Sequence, residues 1–146
     1  MRFIKIAGLL IIFLTISIGF YSCKNNSNPA SPPVPVKTEL EGTWVGNNTD
    51  GIDQTVYTYT MALDSIRVDT NSIEKFRGTF TLDSAALPKQ INIVITKSAT
   101  ASDVGKTIQA LYILSVNILK ITANGPGSQR PPNLDSPVPV ISMILQ

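Results

Sequence analysis

Beyond Thr38 the chain alternates apolar and polar positions with a period of two, and no window keeps a helical i, i+3, i+4 apolar pattern. In Gln54–Leu63, Tyr57, Tyr59, Met61 and Leu63 share one face while Val56, Thr58 and Thr60 share the other. Phe76, Gly78, Phe80 and Leu82 alternate with Lys75, Arg77, Thr79 and Thr81, and Ile91, Ile93 and Ile95 repeat the same spacing. The pattern predicts eight strands, at about 41–46, 54–63, 65–69, 75–83, 90–97, 106–114, 118–123 and 138–145. Turn chemistry fills the gaps: Asn47-Asn48-Thr49-Asp50-Gly51, Asp69-Thr70-Asn71-Ser72, Ser115-Val116-Asn117 and Asn124-Gly125-Pro126-Gly127. Strands this closely spaced read as an all-β antiparallel meander, and closing it into a small eight-stranded barrel removes its exposed edges. An eight-stranded barrel encloses a space that side chains just fill, or that holds one small ligand.

The first residues follow a different rule. Arg2 and Lys5 precede a stretch, Ile6 to Ser22, that carries no charge and is mostly apolar. It is shorter than the roughly 20 residues that span a bilayer comfortably as a helix, and a short apolar run behind positive charges is the pattern of an export signal. It ends at Cys23, the only cysteine of the chain. Phe20-Tyr21-Ser22-Cys23 resembles a bacterial lipobox, with Ser22 in the small position and Phe20 and Tyr21 bulkier than the strict pattern. The expected organisation is a lipoprotein signal over 1–22, a lipidated Cys23 opening a linker over 23–37, and a folded domain over 38–146. Diacylglycerol on the thiol, with further acylation of the freed amine, gives the two or more chains that stable anchoring needs. Lys24 stands where an aspartate often marks inner-membrane retention, so the expected site is the bacterial cell envelope, outer membrane rather than inner. The linker contains Pro29, Pro32, Pro33 and Pro35 among Asn, Ser and Ala. Such a composition favours extended polyproline-II, a spacer reaching on the order of 40 Å.

Composition narrows the chemistry. Twelve Lys+Arg oppose ten Asp+Glu, and removing Arg2 and Lys5 leaves ten of each sign. A neutral domain lacks the electrostatic footprint of a nucleic-acid binder. The absence of histidine excludes Ser-His-Asp and Cys-His catalysis and nearly all zinc enzymes. One cysteine excludes an internal disulfide. Gly105-Lys106-Thr107 copies the tail of a P-loop, but Thr100 stands where that motif needs glycine and a strand follows instead of a helix. The oxygen-rich Asn47–Asp53 loop lacks EF-hand spacing and reads as a polar hairpin turn. No enzyme activity, metal or cofactor is expected.

Two groups of motifs are more specific. Leu40-Glu41-Gly42-Thr43-Trp44 opens the first strand, and Gly-x-Trp at that place resembles the opening of lipocalins. Further on come Gly78-Thr79-Phe80-Thr81-Leu82-Asp83, Leu87-Pro88-Lys89-Gln90-Ile91-Asn92-Ile93, Gly105-Lys106-Thr107, Leu111-Tyr112-Ile113-Leu114, Leu119-Lys120-Ile121 and Arg130-Pro131-Pro132. In this order they resemble an uncharacterised lipocalin-like domain family common in planctomycetes and related bacteria. The resemblance runs from about Leu40 to the end. Asn92 departs from the usual Asp, and Val116-Asn117 from a Gly-Asp-like turn. The resemblance implies a small barrel and no established activity. It also implies that Gly42, Trp44 and Arg130 close the barrel, the arginine covering the indole by cation–π stacking. Asp83, ahead of Ser84-Ala85-Ala86, is expected to accept backbone N–H groups in a turn.

Two functions compete. In one, a small apolar ligand sits in the barrel mouth among Tyr57, Tyr59, Phe76, Phe80 and Tyr112. In the other, those five rings fill the barrel, and the protein is a structural or interaction lipoprotein whose outer surface meets an envelope partner.

Overall fold

The computed structural model describes residues 38–49, 54–135 and 138–146, all within a compact unit spanning Val34–Gln146. Cys23 and the segments expected to be an export signal and a linker lie outside the described residues, as do Asp50 and Asp53. The strands are β1 (Gly42–Asn48), β2 (Val56–Ala62), β3 (Ser65–Thr70), β4 (Ile73–Asp83), β5 (Lys89–Ser98), β6 (Thr107–Ser115), β7 (Ile118–Ala123) and β8 (Val140–Leu145). Each strand pairs antiparallel with the next, and β8 returns to pair with β1, so the sheet is a closed eight-stranded barrel. The described residues contain no α-helix; a 3-10 turn, Ala101–Asp103, joins β5 to β6. No described helix is long and apolar enough to cross a membrane.

Alternation decides which side chains enter the barrel. Trp44, Tyr59, Met61, Ile66, Val68, Phe80, Ile91, Ile93, Ile95, Ala110, Tyr112, Leu119, Ile121 and Met143 form one buried core. Their strand neighbours Thr58, Thr60, Arg67, Lys120 and Ile144 lie outside it. The even spacing of isoleucines on β5 suits this role, because a β-branched side chain is stiff and packs well on a pleated surface.

The outer wall carries a charge row that needs explaining. Arg67, Arg77 and Lys97 face one another across β3, β4 and β5 in direct register. Like charges so placed repel. Irregularities at Val68/Asp69 and Arg77/Gly78 shift the pairing beside the row. Asp69 then lies 2.7 Å from Arg67 Nη2, while Glu74 lies 2.6 Å from Arg77 Nη2 and 3.1 Å from Lys97 Nζ. The Arg77 and Lys97 bonds hold the Glu74 carboxyl down at about 2, so it stays ionised throughout the ordinary pH range.

The two ends of the barrel differ. At the end bounded by the β2–β3, β4–β5 and β6–β7 turns, the chain running into β1 tucks Leu40 inside, fully buried. The Trp44 indole N–H donates to the Leu40 carbonyl at 2.8 Å, fixing this plug to the first strand. The opposite end is bounded by the β3–β4 turn, the β5–β6 turn and the long β7–β8 connection.

Closure itself depends on Gly46. A Cβ there would collide with the Ser142 carbonyl and the Met143 backbone, so β1 and β8 reach their spacing only around a hydrogen atom. Gly46→Ala should therefore lower stability by about 1–3 kcal/mol or more, the usual cost of overpacking. Urea unfolding of the two proteins measures this, and an unchanged midpoint would mean that the β1–β8 seam is not under steric control.

Candidate functional site

The open end leads into a cavity of about 220 Å³. Tyr57 and Tyr59 reach it from β2, Phe76 from β4, Ile93 from β5, Ile108 and Ala110 from β6, Ile121 and Ala123 from β7, and Ile141 from β8. Asn48, Asn124 and Pro139 complete the lining where β1 ends and the β7–β8 connection begins and ends. The lining joins hydrocarbon and aromatic walls to nearly as much polar surface, and the polar side chains in it are two phenols and two carboxamides. Asn124 is held by its amide N–H donating to Gln129 O at 2.6 Å. Burial, with the neighbouring Tyr57 second, pushes the Tyr59 phenol well above its ordinary 10, so it stays protonated. A lining with no carboxylate, amine or thiol offers shape and apolar contact with a few orienting hydrogen bonds. An apolar cavity of roughly 150 Å³ holds benzene. This one therefore suits a molecule slightly larger than a single ring.

Three of the five aromatics expected at a ligand line the cavity: Tyr57, Tyr59 and Phe76. Phe80 and Tyr112 do not. Phe80 is buried in the core, two inward positions along β4 from Phe76 and toward the plugged end. Tyr112 is also fully buried, with its hydroxyl committed elsewhere. Period-two alternation puts all five rings on the inner face but says nothing about depth along the barrel axis. Ile108, Ala110, Ile121 and Ala123 were recoverable from the same alternation in β6 and β7. Asn48 lies on the inward parity of Trp44 and Gly46, two residues past the predicted end of the first strand, whereas Asn124 and Pro139 had no such signal, because loop ends supply them.

Arg130 does not stack on Trp44. Its Nη1 donates to the Ala110 carbonyl and, at 3.4 Å, to Ile91 O, while Nη2 donates to Asn92 Oδ1 at 2.6 Å. Asn92 lies between the inward-facing Ile91 and Ile93, so its side chain is on the outer face, with the barrel wall between it and the indole. The arginine pins the β7–β8 connection across the outside of β5 and β6. Thr122 Oγ1 donates to Pro139 O at the far end of the same connection. Gly42 adopts a positive φ of 142°, a conformation that strains any side chain, and a Cβ there would displace the end of the Leu145 side chain.

The cation–π contact among the described residues is instead Lys89 over Tyr112, 5.9 Å from the ring centre. It belongs to a latch at the plugged end. The Tyr112 hydroxyl donates to Glu39 Oε1 at 2.5 Å, Ser84 Oγ donates to the same oxygen at 3.0 Å, and Lys89 Nζ donates to Oε2 at 2.7 Å. Glu39 immediately precedes Leu40, so this carboxylate ties the plug to β5, β6 and the β4–β5 turn. Asp83 shapes that turn, its Oδ1 accepting the Ala85 and Ala86 N–H groups.

No family model, no curated protein and no solved structure matches the chain.

The latch has a pH signature. The Lys89 and Tyr112 hydrogen bonds hold the Glu39 carboxyl below its ordinary 4.5. Its contribution is thus fully present above that pH and disappears as pH falls through the lowered value. Burial, then the Glu39 bond, pushes the Tyr112 phenol up to about 12. That contribution is present below the ordinary 10 and disappears as pH rises through about 12. In urea titrations, Glu39→Gln should be less stable than the parent at neutral pH, and the gap should narrow as pH drops below about 4.5. A gap independent of pH would show that Glu39 acts only through packing.

Proposed function

We propose that this chain is an exported bacterial lipoprotein, anchored by lipid on Cys23, whose barrel takes a small apolar molecule into its open end. The observation that carries the binding part is the cavity of about 220 Å³ lined by Tyr57, Tyr59, Phe76 and a ring of aliphatic side chains. A plugged far end and an unfilled near end give one way in, and the ligand class follows from walls that offer almost no charge. The anchoring part rests on the sequence: a positive start, an uncharged apolar run, and the sole cysteine directly behind it. A lipocalin-like barrel carried on a lipid anchor is a carrier or binding module in the envelope, and catalysis has no part in this reading.

Native mass spectrometry of protein taken from its own cells tests the ligand. A co-purifying small molecule is expected, and Ala123→Phe, which fills the cavity, should remove it or weaken its binding about tenfold or more. Phe80→Leu, in the filled half, should leave ligand occupancy intact. A bare mass, with no thermal shift across a panel of small apolar compounds, would remove the binding module and leave an interaction lipoprotein.

The anchor is tested separately. Cys23→Ser should abolish incorporation of labelled palmitate and release the protein from membranes. Unchanged membrane fractionation would point to an uncleaved apolar anchor instead.

A further inference from the structure

The plugged end of the barrel carries apolar side chains where a soluble turn has no use for them. Leu87, in the β4–β5 turn, is 96% exposed, and Val116, in the β6–β7 turn, is 92% exposed. Val116 also adopts a positive φ of 52° and Leu63, in the β2–β3 turn at the same end, one of 56°. That backbone region suits glycine or asparagine and disfavours β-branched and bulky residues. The turn that joins β3 to β4 at the open end meets the same demand conventionally, with Asn71 and Ser72. At the plugged end an apolar side chain is kept despite its backbone cost.

The surface around these tips continues the pattern. Two shallow grooves meet at Ile113 on the outer wall, one reaching Leu87 and Pro88, the other Ile118. Ile144 lies in register beside Ile118. The charged side chains on the groove walls are Lys89 and Lys120, and no carboxylate lines either groove. Lys89 is paired with Glu39, and exposed Asp64 and Asp83 share this end, so the match to a lipid surface lies in the apolar tips, which insert while Lys120 stays at headgroup level.

The chain's own path selects the bilayer over other occupants. Glu39 bonds to Lys89, so residue 38, where the segment carrying Cys23 joins the barrel, sits beside the Leu87–Pro88 turn. We infer that the plugged end of the barrel docks on the membrane surface through Leu87, Val116 and Leu63. The open end then faces the aqueous compartment, and the barrel loads from water or from a soluble partner. This inference rests on the proposed anchoring at Cys23. The linker length expected from the sequence leaves the barrel free to stand clear of the lipid, and the apolar tips draw it back. Their contribution is that of an intramolecular contact, so weak insertion suffices once the chain is tethered.

Tryptophan placed at either end tests this on the full chain, purified from membranes and reconstituted into phosphatidylethanolamine–phosphatidylglycerol vesicles containing brominated lipid. Trp44 is buried and supplies the constant background. Leu87→Trp and Val116→Trp should each lose most of their added emission to the brominated lipid. Ile73→Trp, at the open end, should keep its emission. Adding Val116→Asp to Leu87→Trp, and Leu87→Asp to Val116→Trp, should reverse the quenching, each aspartate lowering the docked fraction about tenfold or more. Equal emission at both ends, or quenching confined to Ile73→Trp, would overturn the docking. So would protection of Leu87→Trp that scales with protein concentration, the mark of a second copy, or that requires an added envelope protein. Palmitate labelling of the same samples separates the two ideas. A chain that fails to label overturns the anchor alone, because quenching still reports which end meets lipid.

Discussion

β1 is hydrogen-bonded along both of its edges, to β2 on one side and to β8 on the other. Without the second ladder the meander would be an open sheet with two unpaired edges, the arrangement that invites strand addition from other chains. With it, every inward side chain faces an enclosed space, and the isoleucines of β5, Met143 of β8 and Trp44 of β1 become one core. The condition for this closure is local and steric. Gly46 must offer no Cβ where the Ser142 carbonyl passes.

Closure alone would leave a tube open at both ends. What makes it a cup is the short segment before β1. Leu40 fills the lower interior, the Trp44 indole binds its carbonyl, and Glu39 binds Tyr112, Ser84 and Lys89 around the rim. The large rings of Trp44, Phe80 and Tyr112 and the Leu40 plug together occupy one half of the barrel. Space therefore remains only toward the other end, between Tyr57, Tyr59 and Phe76 on one wall and the aliphatic residues of β5 to β8 on the other. The filled half and the unfilled half are both needed: the first supplies packing in a domain with no disulfide, the second supplies room.

The outer surface is organised by the same pairing. Register brings Arg67, Arg77 and Lys97 together, and shifted pairing beside that row brings Asp69 and Glu74 among them. On the adjoining wall, Arg130 and Thr122 hold the β7–β8 connection against the outside of β5, β6 and β7, where Leu111 and Thr122 are buried even though both face away from the core. Of the exposed apolar side chains, Leu63, Leu87, Ile113, Val116, Ile118 and Ile144 lie toward the plugged end, while Val56, Ile73 and Val104 lie at the open end.

The sequence by itself determined the strands, their order and the face most residues present, because a period of two is a property of the extended backbone; it fails where the pairing shifts in β4 and β5, which turns Glu74 and Lys97 to the outer face. Six neighbouring antiparallel pairings follow from short turns, the long β7–β8 connection being the exception, and all eight strands were legible from alternation. It also determined that the interior would be aromatic and aliphatic, and that Asp83 would cap its own turn. Depth along the barrel was decided only by the tertiary structure, since it depends on the stagger between strands and on the plug of Leu40. That is why Phe80 and Tyr112, on the right face, lie away from the cavity that Tyr57, Tyr59 and Phe76 line. The position of Arg130 was decided the same way. A loop carries no periodicity, so the sequence could place the arginine near the last strand but not on which side of the wall it would lie, and the carboxamide of Asn92 on the outer face settled that.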